Sequence, residues 1–239
     1  MSELRIGCSG WVYKDWTGPF YPEGTKDRER LEYYATRFDT AEINASFYRL
    51  PSEAMVEGWA RRAPPAFVFA WKVSRFITHN KKLKDCGESV DLVFGRMAPL
   101  GDKLGPALIQ LPPQLRRNDD RLAGFLKLLP PGRRTVEFRH PSWYEPAVFR
   151  ILSDFDAALC ISDHHHAPAP WELTASWAYV RGHGPGGRYF GRYSDEEMQA
   201  WADRIGAWRA QGLDVYAYFD NDIKSAAPFD ALTLKRLTA

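Results

Sequence analysis

The feature that most constrains this chain is an alternation between two hydropathy periods, repeated about eight times. Short β-branched or aromatic runs occur at "LRIGCS" (4–9), "TAEINAS" (40–46), "FVFAWKVS" (67–74), "ALIQL" (107–111), "RTVEFR" (134–139), "AALCIS" (157–162), "WAYVRG" (177–182) and "VYAYFD" (215–220). Most are separated by segments with helical spacing. In "DRERLEYYATRF" the residues Leu31, Tyr34, Ala35 and Phe38 fall on one helical face, and "PSEAMVEGWARRA" opens with a serine cap. "SDEEMQAWADRIGAWRAQG" carries the capping box Ser194…Glu197 and stops near Gly212, and "SAAPFDALTLKRL" reads as a closing helix. Strand–helix alternation requires a parallel sheet. Eight such units in 239 residues predict one α/β domain over 1–239, a closed (β/α)8 barrel of TIM type in which some helices are irregular or missing. An open doubly wound sheet is the competitor, but no GxGxxG follows the first run, which weakens its dinucleotide-binding version.

A hydrophobic content of 45% with 14% aromatic residues suits a large core. The 32 basic residues nearly balance the 30 acidic ones, which argues against wrapping duplex DNA by bulk charge. Three distant cysteines, Cys8, Cys86 and Cys160, with no CxxC spacing, indicate a reducing compartment rather than a disulfide framework. The start "MSELRIGCSGW" lacks a signal-peptide apolar region, and charges interrupt every segment of membrane-spanning length. A cytoplasmic protein without membrane contact is expected; no oligomeric state is implied.

Function in such a barrel belongs to the carboxyl ends of the strands. There the runs turn polar together: Glu42 and Asn44, Lys72, Gln110, Glu137 and Arg139, Asp163, Arg181 and His183, then Asp220, Asn221 and Asp222. Residues two apart on a strand share a face. So many ions sunk in a core must pair, meet water or meet a ligand, because each costs several kcal/mol to bury. The pairs Glu137–Arg139 and Lys72–Glu42 are also readable as structural ion pairs plugging the mouth. The loops on the same side carry Arg75, His79, Lys81, Lys82 and Lys84, then Arg116 and Arg117, then Arg188 and Arg192, a positive rim suited to an anionic partner.

The loop "RGHGPGGRYFGRYS" places Gly182, Gly184, Gly186, Gly187 and Gly191 after the seventh run, where barrels of this type often grip phosphate. Tight turns are the plainer use of those glycines. In "SDHHHAPAPW" three consecutive imidazoles of an extended segment point to opposite sides and cannot readily share one ion. No metal site is assigned and no cofactor is implied; at most one histidine would join Asp163, Glu42, Glu137 or His183 around a divalent metal. Cys8 has no base partner in the pattern and reads as a packed residue.

The blocks "IGCSGWVYKDWTGPFYP", "FDTAEINASFYRLPS", "FVFAWKVSRFITH", "ALIQLPPQ", "EFRHPSWY", "YVRGHG" and "YFDND" together resemble the domain of unknown function seventy-two, the YecE-like family, from about residue 5 to 236. The resemblance implies a TIM barrel and brings no activity. Its motif positions fall on Glu42, Asn44, Lys72, His79, Gln110, Glu137, Arg139, His140, Arg181, His183 and Asn221. Cys8 stands where relatives commonly carry Thr or Ser, which further weakens a nucleophile there.

The expectation is therefore a small-molecule barrel, possessing a pocket for a phosphorylated or otherwise anionic, ring-containing compound. In it Arg181, Arg139 and the loop at Gly184 hold the anion, Glu137 or Glu42 acts as general base and His183 as proton shuttle. Lys72 is an electrostatic group, or a Schiff-base amine if Arg139 crowds it. Asn44, His79, Gln110, His140 and Asn221 complete the ligand contacts. Two other classes stay open: binding or processing of single-stranded or damaged nucleic acid across the basic, aromatic face, and a catalytically silent barrel used for protein contacts.

Overall fold

The structure, a computed structural model, describes residues 2–239. The eight strands are β1 (Leu4–Cys8), β2 (Thr40–Ile43), β3 (Val68–Lys72), β4 (Leu104–Gln110), β5 (Arg134–Glu137), β6 (Ala158–Ser162), β7 (Trp177–Gly182) and β8 (Asp214–Phe219). They form one parallel sheet in the order β1-β8-β7-β6-β5-β4-β3-β2. The helices are α1 (Arg30–Tyr34), α2 (Ala45–Tyr48), α3 (Glu53–Arg62), α4 (Gly87–Met97), α5 (Asp119–Leu128), α6 (Pro146–Asp154), α7 (Asp195–Ala210) and α8 (Ala226–Leu237). The expected (β/α)8 barrel is present. Among the described residues no helix is long and apolar enough to cross a membrane.

The ring closes at β1 and β2 by an unusual device. Between these strands there is no regular ladder, only a bridge from Ser9 to Glu42. The buried Tyr34 hydroxyl fills the seam: it accepts from Cys8 N (2.8 Å) and donates to Thr40 O (3.0 Å). Gly7 makes this approach feasible, because a Cβ there would lie 2.3 Å from Thr40 O.

One expectation needs correction, and the expected irregularity of the helices has a definite place. The second run was expected to stay extended to residue 46, but β2 ends at Ile43 and the chain turns into α2. Ser46 Oγ then ties the turn to Lys72 O at 2.7 Å. Between β6 and β7 there is no helix, and Pro168 and Pro170 explain why: each lacks an amide proton and breaks helical pairing. Trp171 fills the gap instead, packing 5.9 Å from Trp201 and 5.8 Å from Trp208 of α7. The capping box of Ser194 and Glu197 and the serine cap Ser52 both form.

The core has two shells. Helix-facing side chains pack between strands and helices. Inside the barrel the lower layer is aliphatic, small or aromatic: Ala70, Leu108, Ala158, Cys160, Trp177, Tyr179, Tyr216 and Tyr218. Strand alternation then dictates what lies above it, since the next inward residues are Glu42, Lys72, Gln110, Glu137, Ser162, Arg181 and Asp220.

Candidate functional site

Arg181, fully buried, is the hub of the upper layer. Its Nη2 donates to Glu42 Oε1 (2.9 Å), Asp220 Oδ2 (2.7 Å) and Ser9 Oγ (3.1 Å), and Nη1 donates to Glu137 Oε2 (2.9 Å). The other oxygens of both glutamates are also taken. Glu42 Oε2 accepts from Tyr179 OH at 2.5 Å, while Glu137 Oε1 accepts from Arg139 Nε (2.5 Å) and Ser162 Oγ (3.2 Å). Burial would raise the Glu137 carboxyl, but Arg139 and Arg181 overcome it and hold it far below the ordinary range.

This corrects three expected roles. Glu137 and Glu42 are sealed, fully paired carboxylates, and Glu137 at least is too weak a base to accept a proton near neutral pH. Arg181 cannot be a first contact for an incoming anion, since it has no exposed surface and three carboxylates surround it. Of the two ion pairs read from the sequence, Glu137–Arg139 forms; Glu42 pairs with Arg181 rather than with Lys72.

His183 is also sealed, and its tautomer follows from its neighbours. Nε2 lies 3.0 Å from Arg181 Nη1 and 3.2 Å from Arg139 Nη2, both obligatory donors, so Nε2 accepts. The proton therefore sits on Nδ1, directed at Asp163 Oδ1 at 3.1 Å. Burial and then Arg181 push the imidazole pKa well down, consistent with a neutral ring. A proton shuttle needs to change charge; His183 instead acts as an acceptor that aligns two guanidinium groups. Asp163, which the sequence placed among the polar strand ends without a catalytic or ligand-binding role, completes this chain: it accepts from His183 N (2.8 Å) and from Tyr193 OH. Burial raises its pKa to about 6 despite those bonds.

Three further candidates are structural. His140 Nδ1 accepts from Ser142 N (3.1 Å), capping the short helix Pro141–Trp143 rather than facing the ring. Asn221 is fully buried and donates to Gly191 O (2.6 Å) and Asp230 Oδ2 (2.8 Å). Gly184, at φ 85°, is a turn glycine whose amide donates to Tyr193 OH (2.8 Å), and Gly187 N donates to Gly184 O (2.7 Å). The glycine loop thus spends those amides on itself. The Asp220 carboxylate lies 3.7 Å from His183 at the start of the loop, which is unfavourable to a phosphate there.

The remaining candidates gather at the mouth. Lys72 is 7% exposed, and its ammonium has no carboxylate within ion-pairing distance among the described residues. Its one close partner is the Phe47 ring, 4.4 Å from Nζ. Burial, then Arg181 rather than the expected Arg139, lowers the Lys72 pKa to about 8. His79 packs on the other side of this group, edge-on to Phe47 at 5.0 Å, and burial with Lys72 holds its pKa down to about 4. Gln110 and Tyr189 flank Arg139, and Asn44 Nδ2 approaches Asp220 Oδ1 at 3.5 Å. Asp220 and Asp222 both have raised pKa values, from burial in each case; Arg181 partly offsets this for Asp220, while Asp220 itself adds to it for Asp222.

The histidine run departs from expectation. The segment turns instead of staying extended, so the rings of His164, His165 and His166 lie 4.2–5.2 Å apart. They still do not form a ligand set: His164 Nδ1 accepts from His166 N (3.3 Å), leaving its proton on Nε2. Among the described residues no group of three or more His, Cys, Asp or Glu is placed to hold a metal ion. His164 packs against His183 and Tyr189, roofing that side of the ring.

Comparison with known proteins agrees with the fold. A DUF72 family protein of Thermotoga maritima MSB8, solved by crystallography, superposes with a TM-score of 0.89 at 27% identity, covering 98% of each chain. UPF0759 protein YunF of Bacillus subtilis (strain 168) is 26% identical over 254 residues, 92% of this chain and 89% of that one. UPF0759 protein YecE of Escherichia coli (strain K12) is 34% identical over 143 residues, 59% of this chain and 50% of its own. The model described as "Protein of unknown function DUF72" matches residues 5–239, and the chain belongs to that family.

Proposed function

We propose that the barrel mouth binds and converts a small carbonyl compound that carries an anionic group, with Lys72 supplying the reacting amine. The observation that carries this reading is the isolation of Lys72: every other charge of the inner layer is paired, and this one has only an aromatic face. A pKa of about 8 leaves about a tenth of the amine free at pH 7, against well under a thousandth for an ordinary lysine. The free amine adds to the carbonyl carbon, water leaves, and the protonated imine accepts the electron pair of a neighbouring C–H or C–C bond. Asp222, whose carboxyl is held toward its protonated form by burial and by the neighbouring Asp220 carboxylate, or solvent water at the mouth, supplies the proton that water needs to depart. Asn44, Gln110 and His79 orient the bound molecule.

Borohydride reduction in the presence of short uncharged aldehydes tests this directly. A stable mass increase on the Lys72 peptide, absent from Lys72→Met, is the expected result. Labelling spread over surface lysines, with none at Lys72, removes the reading.

A second reading rests on a separate observation. Arg75, Lys82, Lys84, Arg116 and Arg188 are exposed on the mouth loops and make no ion pair among the described residues. Exposed Tyr48, Phe76 and Phe190 lie among them. That surface also suits a single-stranded nucleic acid, which stacks bases on aromatic rings. Its mark is a log–log salt slope of roughly −0.7 per phosphate bound. Salt-insensitive ligand binding excludes it, and a barrel that binds neither probe points to protein contacts.

A further inference from the structure

Beside the ring, a cleft of about 480 Å³ opens between the loop after β1 and helix α3. Its walls are Trp11, Ile43, Met55 and Trp59, with the two indoles edge-to-face at 5.8 Å. Met55 is half exposed, so the apolar surface is open to solvent. At the outer rim stand Arg28 and Arg62. Asp27, also on the rim, is claimed by Arg30 at 3.1 Å, whereas the contacts of Arg28 and Arg62 with Glu29 and Glu32 are loose, 3.5 and 3.9 Å. Arg62 is held in place by the backbone, with Nε donating to Gly58 O (3.1 Å) and Nη1 to Arg28 O (2.8 Å). At the inner end is Asn44, whose Oδ1 is buried without a hydrogen-bond partner while its Nδ2 approaches Asp220. One side chain therefore belongs to both the cleft and the polar ring.

We infer that this cleft is a binding site for the apolar arm of the ligand, an aromatic or branched aliphatic body whose anionic group meets Arg28 and Arg62. The volume is that of a small-molecule site, and such sites combine apolar walls with a few fixed polar groups. Indole faces reward a flat ring, and two guanidinium groups whose charges have no close carboxylate among the described residues, with Arg62 Nη2 still free there, reward a carboxylate or sulfonate. The orphaned Asn44 oxygen calls for a donor, which a hydroxyl or amide at the inner end of the arm provides. The assignment of the arm to a substrate rests on the Lys72 reading; the binding site itself does not.

Titration of the protein with 2-naphthoate, followed by tryptophan fluorescence, separates the two. Saturable binding is expected, weakened roughly tenfold in Met55→Glu, which sets a like charge in the apolar wall. Leu92→Glu, an equally exposed site on α4, and Lys72→Met should leave the affinity unchanged. Absence of saturable binding, equal affinity in Met55→Glu, or loss of binding in Lys72→Met overturns the site. Naphthoate binding without any Lys72 adduct keeps the cleft and removes the amine chemistry; an adduct without naphthoate binding does the reverse.

Discussion

Replacing Lys72 by methionine should make the protein more stable, and by an amount that depends on pH. The side chain lies in the polar layer with no anionic partner at ion-pairing distance, and burial with Arg181 lowers its pKa from 10.5 to about 8. At pH 7 the amine is charged in both folded and unfolded chains, so the full difference of about 2.5 units opposes folding. At 1.36 kcal/mol per unit this costs about 3 kcal/mol. Methionine has a similar unbranched stem and no charge, and it keeps the contact with Phe47. The ammonium's attraction to that ring, about 0.5–1 kcal/mol, is lost in the variant and reduces the gain by that amount. The sign follows from linkage: the folded pKa is depressed for a cation, so the penalty is complete below pH 8. It disappears as pH rises from about 8 to 10.5, where the unfolded chain binds more protons. Urea unfolding of both proteins from pH 7 to 10.5 should therefore show Lys72→Met ahead by about 2–3 kcal/mol at pH 7 and level near pH 10.5. Equal stability at pH 7, or a constant gap across the range, would mean that the ammonium is satisfied in solution and that the isolation argument fails.

Arg181→Met removes the shared cation of Glu42, Glu137 and Asp220 and should cost about 3–5 kcal/mol, measured by urea unfolding; a loss below 1 kcal/mol would show that the layer is hydrated. Gly7→Ala drives a methyl group against Thr40 O and Tyr34 OH, and should destabilise by about 1–3 kcal/mol while exposing the Cys8 amide to hydrogen exchange. Unchanged exchange at Cys8 would show that the seam is held by something other than the Tyr34 hydroxyl.

Most of the barrel was legible because its signal is periodic. Each strand lies within a residue or a few of its apolar run, and the two-residue repeat placed Glu137 with Arg139 and Arg181 with His183 on the inward face. What alternation cannot convey is depth and partnership. Arg181 and Lys72 both occupy inward positions near strand ends, yet one lies amid three carboxylates and the other beside an aromatic ring. That difference depends on which strands face each other across the barrel, a long-range fact absent from local pattern. The sealing of the glutamates was invisible for the same reason. Asp163 and Tyr179 had a usable signal, since one follows β6 directly and the other sits two residues before Arg181 on its face. His140 misled because an imidazole at a strand end is equally a local cap, and only the turn at Pro141–Trp143 decides. The missing helix after β6 was announced by Pro168 and Pro170, and the turn they bound gathers His164 to His166, which an extended reading spreads apart.

The paired layer also limits where a ligand's charge can sit. Arg139, Arg181 and the Lys72 ammonium face the carboxylates of Glu42, Glu137 and Asp220, three charges against three. An anion placed about 4 Å from Lys72 would stabilise the ammonium by about 4 kcal/mol at an effective dielectric of about 20. That raises the pKa by about three units, from about 8 to about 11, and the nucleophile is lost. The same anion at about 10 Å, near the solvent-exposed rim, interacts across water and a Debye length of about 8–10 Å, and shifts the amine by only a few tenths of a unit. Amine chemistry and an anionic substrate are therefore compatible only if carbonyl and anion are well separated, with the anion at Arg28 and Arg62 or another rim cation. Reductive trapping measures this separation. With 8-oxooctanoate, whose carboxylate lies seven bonds and roughly 9 Å beyond the aldehyde when extended, adduct formation should rise with pH to a midpoint near 8. With glyoxylate, whose carboxylate adjoins the carbonyl, the midpoint should move up by one or more units. Identical midpoints would mean that the carboxylate of glyoxylate is neutralised close to Lys72, and so that one of the guanidinium groups described as engaged is free to turn toward the ligand.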